Sequence, residues 1–202
     1  MSRSMPRFFI ALVASCMAAF AGLSTSVAAE PKRIALPAPQ MTGGKSLMEA
    51  LSLRRTDRQF SNRAVDQQHL SNLLWATWGV NRPNGNRTAP TARNSQNVRL
   101  YVALRNGVWL YEAKSNELIL AMDGDTTSKF GGAPVHLLYV APAEDQFAGM
   151  HIGSLYQNAG LYCASVGLGN VVKQRGINAL DGTLKLPQGH RVFIVQSIGW
   201  PK

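Results

Sequence analysis

A short turn, Arg105-Asn106-Gly107, separates two β-patterned runs at residues 100–104 and 108–112. So close a pairing of strands can only be a hairpin. Around it the periodicity keeps changing. Leu47, Ala50, Leu51 and Arg54 recur at helical spacing after Ser46, a cap-forming residue. Leu70, Leu73, Leu74, Thr77 and Trp78 form a second helical stripe between Asp66, a good N-cap, and Gly79. A strand is expected at 136–140, a long helix at 149–166, a strand or extended segment at 168–173, and a strongly β-patterned central strand at 191–198. Hairpins mixed irregularly with helices predict an α+β fold rather than a doubly wound parallel sheet.

The start of the chain reads differently. Arg3 and Arg7 precede a long apolar run, and small residues ending in Val27-Ala28-Ala29 follow it. This is the pattern of a secretory signal peptide over residues 1–29, and it predicts a periplasmic or secreted protein without a membrane span. Anchoring as a lipoprotein at Cys16, from the run Val13-Ala14-Ser15-Cys16, is the minor alternative. Residues 30–44, with three prolines and two glycines, read as a linker, and 45–202 as one domain. Loss of the leader would leave Cys163 as the single cysteine, which cannot form an internal disulfide and reads as a small buried hydrophobe. His69, His136, His151 and His190 are far apart and have no metal-ligand spacing, so no metal is expected.

The formal charge is +10. No run of five basic residues exists, and aromatics are not interleaved with the cations, which argues against nucleic acid as a partner. The charge is concentrated in one place, Arg54-Arg55-Thr56-Asp57-Arg58-Gln59-Phe60. Three guanidinium groups in five residues repel one another unless an anion or several carboxylates lie among them, and Asp57 alone cannot balance three. Guanidinium forks and a hydroxyl suit a phosphate. The polar, Gly/Pro-containing loop 81–97 is too long for a simple turn and could hydrogen-bond a ligand. Neither G-x-G-x-x-G nor a P-loop is present, so a dinucleotide Rossmann site and an NTPase are not indicated.

Four segments in this order resemble the FMN-dependent nitroreductase family, and most closely its SagB-type and thiazoline-oxidase-type dehydrogenases. They are Arg54-Arg55-Thr56-x-Arg58-x-Phe60, residues 89–96 (Ala-Pro-Thr-Ala-Arg-Asn-Ser-Gln), Tyr156-Gln157-Asn158-Ala159 running into Gly167-Leu168-Gly169, and the closing Ile198-Gly199-Trp200-Pro201. The resemblance implies a central mixed sheet wrapped by helices in an intertwined homodimer, with one FMN per subunit at the interface. It assigns Arg54 and Thr56 to the phosphate and ribityl end, with Arg55 beside them, and Arg58 to the pyrimidine edge of the ring. Pro90, Thr91, Ala92 and Asn94 would come from the partner subunit. Val172, Lys173 and Gln174 would pass near N5, and Lys202 would contribute weakly to the phosphate. Residues 143–149 are short where many members carry a helical excursion over the flavin, which implies an open pocket.

The implied activity is oxidoreduction in which a small-molecule substrate and an electron donor, neither identifiable from the sequence, use one flavin face in turn. The alternative is a non-catalytic flavin carrier or phospho-ligand-binding protein. No catalytic residue stands out. His151 and Tyr156 are the candidate proton donors, though each is better explained as a packing residue.

Overall fold

The hairpin is the middle of a seven-stranded sheet. The computed structural model describes residues 30–202, so the expected leader and its Cys16 alternative lie outside the described residues. In chain order the elements are β1 (Arg33–Ala35), α1 (Leu47–Leu53), α2 (Gln67–Trp78), β2 (Arg99–Leu104), β3 (Gly107–Glu112), β4 (Glu117–Met122), β5 (Val135–Pro142), α3 (Ala148–Val166), β6 (Gly169–Lys173) and β7 (His190–Gly199). The strands lie in the order β1-β4-β3-β2-β5-β7-β6. In the hairpin, Tyr101 faces Leu110 and Val102 faces Trp109. Gly107 closes it at φ +135°, where a Cβ would stand 2.7 Å from the Met122 carbonyl oxygen. Only glycine serves there.

The expected mixed sheet is antiparallel at every pairing within the described chain. The reason is topological. β5 and β6 run the same way and are joined by the crossover helix α3, but β7 slots between them and pairs antiparallel with both. β7 is therefore an inner strand next to the edge strand β6, rather than the centre of the sheet. The segment read as a linker also departs from expectation. Arg33–Ala35 pair with β4 as an edge strand, Arg33 reaches Glu117 at 3.1 Å, and Leu36 is buried. A strand of three residues is too short to signal itself in the sequence, and an edge is where the flanking Pro31 and Pro37 are tolerated.

The caps form as read. Ser46 and Glu49 make a complete capping box on α1, and the Asp66 side chain accepts from the His69 N–H at 2.8 Å. Gly79 ends α2 without a left-handed turn. Its role is space, since a Cβ there would lie 2.4 Å from the Trp75 ring. The α2 stripe packs inward on one face of the sheet together with Ile152, Leu155, Ala159 and Cys163 of α3. Period-two alternation sends Tyr101, Leu138, Val140 and Val195 to the other face, which is covered by Phe130, Leu180 and Leu184 from loops rather than helices. α1 is different, because only its Ala50 is buried.

On the loop-covered face His136 and Ser197 stand opposite each other on β5 and β7, and the His136 Nδ1 lies 2.7 Å from the Ser197 hydroxyl. Burial, helped by the charge of Lys173, pushes the ring's pKa from 6.5 down to about 4. The unfolded chain therefore takes up a proton here in a window, about pH 6.5 to 4, where the folded chain does not, so stability falls as the pH drops through it. This ring should remove about 2 kcal/mol between pH 7.5 and pH 5. Urea unfolding at the two pH values checks this: His136→Leu should lose correspondingly less than the parent, and an equal loss in both would rule the ring out as the source.

Candidate active site

The arginine segment is a strap laid across the end of the sheet. α1 ends where the Arg54 N–H bonds the Ala50 carbonyl and the chain turns to extended geometry (φ −58°, ψ 119°). Beyond it the Asp57 N–H donates to the Asn170 carbonyl of β6 at 2.9 Å, and the Ser61 N–H donates to the Trp200 carbonyl at 2.8 Å. Phe60 bridges to Pro201, and the Lys202 N–H reaches the Gln59 carbonyl at 3.3 Å. The strap is thus tied to β6 on one side and to the chain's last residues on the other. Two glycines let it lie close. A Cβ on Gly169 would stand 2.9 Å from the Asp57 Cβ, and the Arg54 stem crosses Gly160 at ordinary contact distance.

The charges on the strap are divided unequally. Asp57 pairs with Arg55, Nε to Oδ1 at 3.2 Å. Among the described residues Arg54 and Arg58 form no salt bridge. Thr56 is exposed between them. The shortage of carboxylates inferred from the sequence is thus a property of the folded strap, and two guanidinium groups remain free for an anion.

Arg58 and Phe60 form one side of a cavity of about 460 Å³. Val171, Val172 and Lys173 of β6 and Ser197 of β7 form its floor, and residues 128–133, which include part of a single 3₁₀ turn at Thr127–Phe130, form its far wall. Arg175 also lines it. The Lys173 ammonium donates to the Phe130 carbonyl, and burial together with Arg175 lowers its pKa. Gln174 is exposed just past the end of β6. Beneath the strap, on the helix face, lies a buried polar chain: the Tyr139 hydroxyl donates to Gln196 Oε1 at 2.5 Å, and Gln196 Nε2 donates to Asn170 Oδ1 at 2.9 Å and to the Tyr156 carbonyl at 3.3 Å. These bonds fix the residue whose carbonyl anchors the strap.

The Pro90–Thr91–Ala92–Asn94 loop lies elsewhere on the subunit, against α3. The Ala92 N–H donates to His151 Nε2 at 2.8 Å, Asn158 Nδ2 reaches the Thr88 carbonyl at 3.3 Å, and the Thr91 hydroxyl accepts from the Gln96 N–H at 3.1 Å. None of these four loop residues lines the cavity of the same chain. Arg93, Asn94 and Gln96 take positive φ, which asparagine tolerates better than most residues. His151 is buried, its Nε2 is an acceptor, and its Nδ1 faces Asp145 Oδ2 at 3.4 Å. A ring used in this way tethers the loop. Cys163 is fully buried with its thiol pKa pushed up, in keeping with a packing role, and no metal-binding cluster exists among the described residues.

Sequence reasoning missed Lys129, Asn170, Arg175 and Gln196. Arg175 adjoins the Lys173-Gln174 pair and could have been included with it. The other three carry no local signal, since they reach the site only through strand pairing and the return of the 126–133 loop.

Residues 51–200 match the family model described as Nitroreductase family. The chain belongs to the nitroreductase family. A nitroreductase-like protein of Ralstonia eutropha JMP134 shares 33% identity and superposes with a TM-score of 0.76, over 84% of this chain and 90% of that one. A curated nitroreductase-like relative from Methanocaldococcus jannaschii is 23% identical over 62% of this chain and 76% of its own length. An FMN-bound nitroreductase of Bacteroides fragilis, 16% identical with a TM-score of 0.57 over 78% of this chain and 89% of that one, shares the fold. Members of the family are FMN-dependent oxidoreductases, and this chain is accordingly a flavin enzyme. Its residues fit such a group: among the described residues Arg54 and Arg58 lack carboxylate partners, and Arg58 stands with the apolar Phe60, Val171 and Val172 along one cavity.

The close contact at Gly169 gives a test. Gly169→Ala drives a methyl group into Asp57 and should cost about 1–3 kcal/mol. Chemical denaturation should register that loss, whereas Gly85→Ala, with open space around it but φ +81°, should lose about 1 kcal/mol through backbone strain alone.

Proposed function

We propose that this chain is an exported FMN oxidoreductase of the SagB-type and thiazoline-oxidase-type branch, working as a homodimer with a flavin shared across each half of the interface. The observation that carries the reading is the pair of guanidinium groups without a carboxylate partner among the described residues, Arg54 and Arg58, held on a strap along the edge of a cavity that Phe60, Val171 and Val172 also line. Arg54 and Thr56 hold the phosphate, with Arg55 beside them and Lys202 at the margin. Arg58 faces the pyrimidine edge, where its charge favours the reduced form and raises the potential. Val172, Lys173 and Gln174 border the reacting edge of the ring. Bound FMN supplies hydride acceptance and release at N5. The chain's own residues bind it, set its potential and leave room for one small molecule at a time, so donor and acceptor alternate in ping-pong order.

Two observations support the dimer. α1 turns Leu47, Met48, Leu51 and Leu53 outward, with Leu47 64% and Met48 74% exposed. Apolar side chains grouped this way on one short helix suit a protein partner. The loop carrying Pro90, Thr91, Ala92 and Asn94 lies away from the cavity of its own chain, as it would if it served the partner's flavin. The five residues 143–147 between β5 and α3 leave no room for a covering excursion and support an open pocket. Export rests on the leader pattern of residues 1–29 and leaves a redox protein, a quinol or the substrate itself as the donor.

Purified protein should carry a flavin absorption band that dithionite bleaches and an electron acceptor restores. A bound flavin that cannot be cycled would instead indicate a carrier. Arg54→Ala should weaken FMN binding about 10- to 100-fold, the worth of one charge-assisted contact. Lys202→Ala should weaken it about fivefold or less, as expected of an exposed ion pair. Equal retention in a fluorescence titration of the two variants would contradict this placement of the phosphate.

A further inference from the structure

The cavity next to the strap is electrostatically one-sided. Arg58, Lys129, Lys173 and Arg175 line it, and no carboxylate does. None of the four forms a salt bridge among the described residues. Two acids on the flanking segments have identified partners. Asp57 pairs with Arg55, and Asp125 accepts from the Thr127 N–H and hydroxyl at 2.8 and 2.6 Å.

The two lysines are held by neutral oxygens. Lys173 donates to the Phe130 carbonyl, and Lys129 donates to the Ala179 carbonyl at 3.2 Å. These bonds join the 128–133 wall to β6 and to the segment after it, so the ammonium groups are positioned by the fold. The Ser128 and Ser197 residues beside them add hydroxyl groups. The positive field reaches the interior, because Lys173 contributes to keeping the buried His136 ring neutral. Cations gathered without acids repel one another and are relieved by a bound anion.

We propose that the part of this cavity beyond Arg58 is a subsite for the anionic group of the small-molecule substrate, with Lys129 and Arg175 as its recognition residues. This rests on the flavin placement given above. Arg58 is taken up by the ring's pyrimidine edge, Lys173 borders its reacting edge and the phosphate lies at Arg54, which leaves Lys129 and Arg175 facing whatever enters the cavity. The open pocket then selects its substrate by charge rather than by enclosure.

The test is calorimetric and needs no turnover. FMN-loaded dimer is titrated with benzoate and with benzamide, two ring compounds of nearly the same shape. Benzoate should bind at least tenfold more tightly. The preference should shrink to threefold or less in the Lys129→Gln/Arg175→Gln variant, and in the parent at 0.5 M NaCl, where screening weakens attraction between exposed charges. A parent that takes up FMN and binds the two compounds alike overturns this inference alone. A double variant that keeps the full preference also overturns it. If the double variant instead loses FMN as severely as Arg54→Ala, these cations serve the flavin's own phosphate, and the inference fails. Protein that takes up no FMN overturns this inference together with the flavin reading on which it rests.

Discussion

One backbone hydrogen bond organises the site: the Asp57 N–H donating to the Asn170 carbonyl. It forms because glycine at 169 lets the extended chain after α1 lie directly on β6. With that contact made, the alternation of side chains along an extended segment separates the three arginines. Arg55 turns to Asp57, while Arg54 lies back along α3 over Gly160. Arg58, two residues beyond Thr56, reaches the cavity wall. The anchor is itself supported from below. Asn170 accepts from Gln196, and Gln196 accepts from the Tyr139 hydroxyl, all within the buried interior. A fully satisfied buried network of this kind favours one arrangement over others, because any shift leaves a desolvated polar group without a partner.

The sheet topology explains why the site lies at this end of the fold. Inserting β7 between β5 and β6 makes β6 an edge strand whose far side is free to receive the strap. One face of the sheet is sealed by α2 and α3. The other is covered only by the 3₁₀ turn at Thr127–Phe130 and the segment following β6, and loops packed on a sheet leave a cleft where helices would close it. The same region carries the unpaired cations. A basic cleft with no carboxylate among its described lining residues is costly for the empty protein and favourable once an anion enters.

Local signals were legible in the sequence and long-range ones were not. The hairpin at 105–107, the caps at Ser46 and Asp66, and the buried α2 stripe each depend on neighbours within a few residues, and each forms as read. β1 escaped notice because three residues carry no period. β4 (Glu117–Met122) went unassigned although Asn116, at φ +53°, marks the turn before it and the run is apolar. The antiparallel order of the sheet depends on which strand slips between which, and no local pattern encodes that. The site divides in the same way. The arginine cluster stood out because its charges fall within five residues, whereas Lys129 and Gln196 join the site through contacts that span the chain. His151 is buried, as a packing residue should be, and its Nε2 accepts from the Ala92 N–H.

The central claim is that the strap exists to hold a flavin phosphate, and riboflavin tests it most directly because it is the same ring and ribityl chain without that group. Fluorescence titration of the flavin-free protein should give an FMN affinity at least about 100-fold above that for riboflavin, the worth of one to two charge-assisted contacts. Equal affinity for the two flavins would contradict the account, because the guanidinium groups on the strap would then be binding something else.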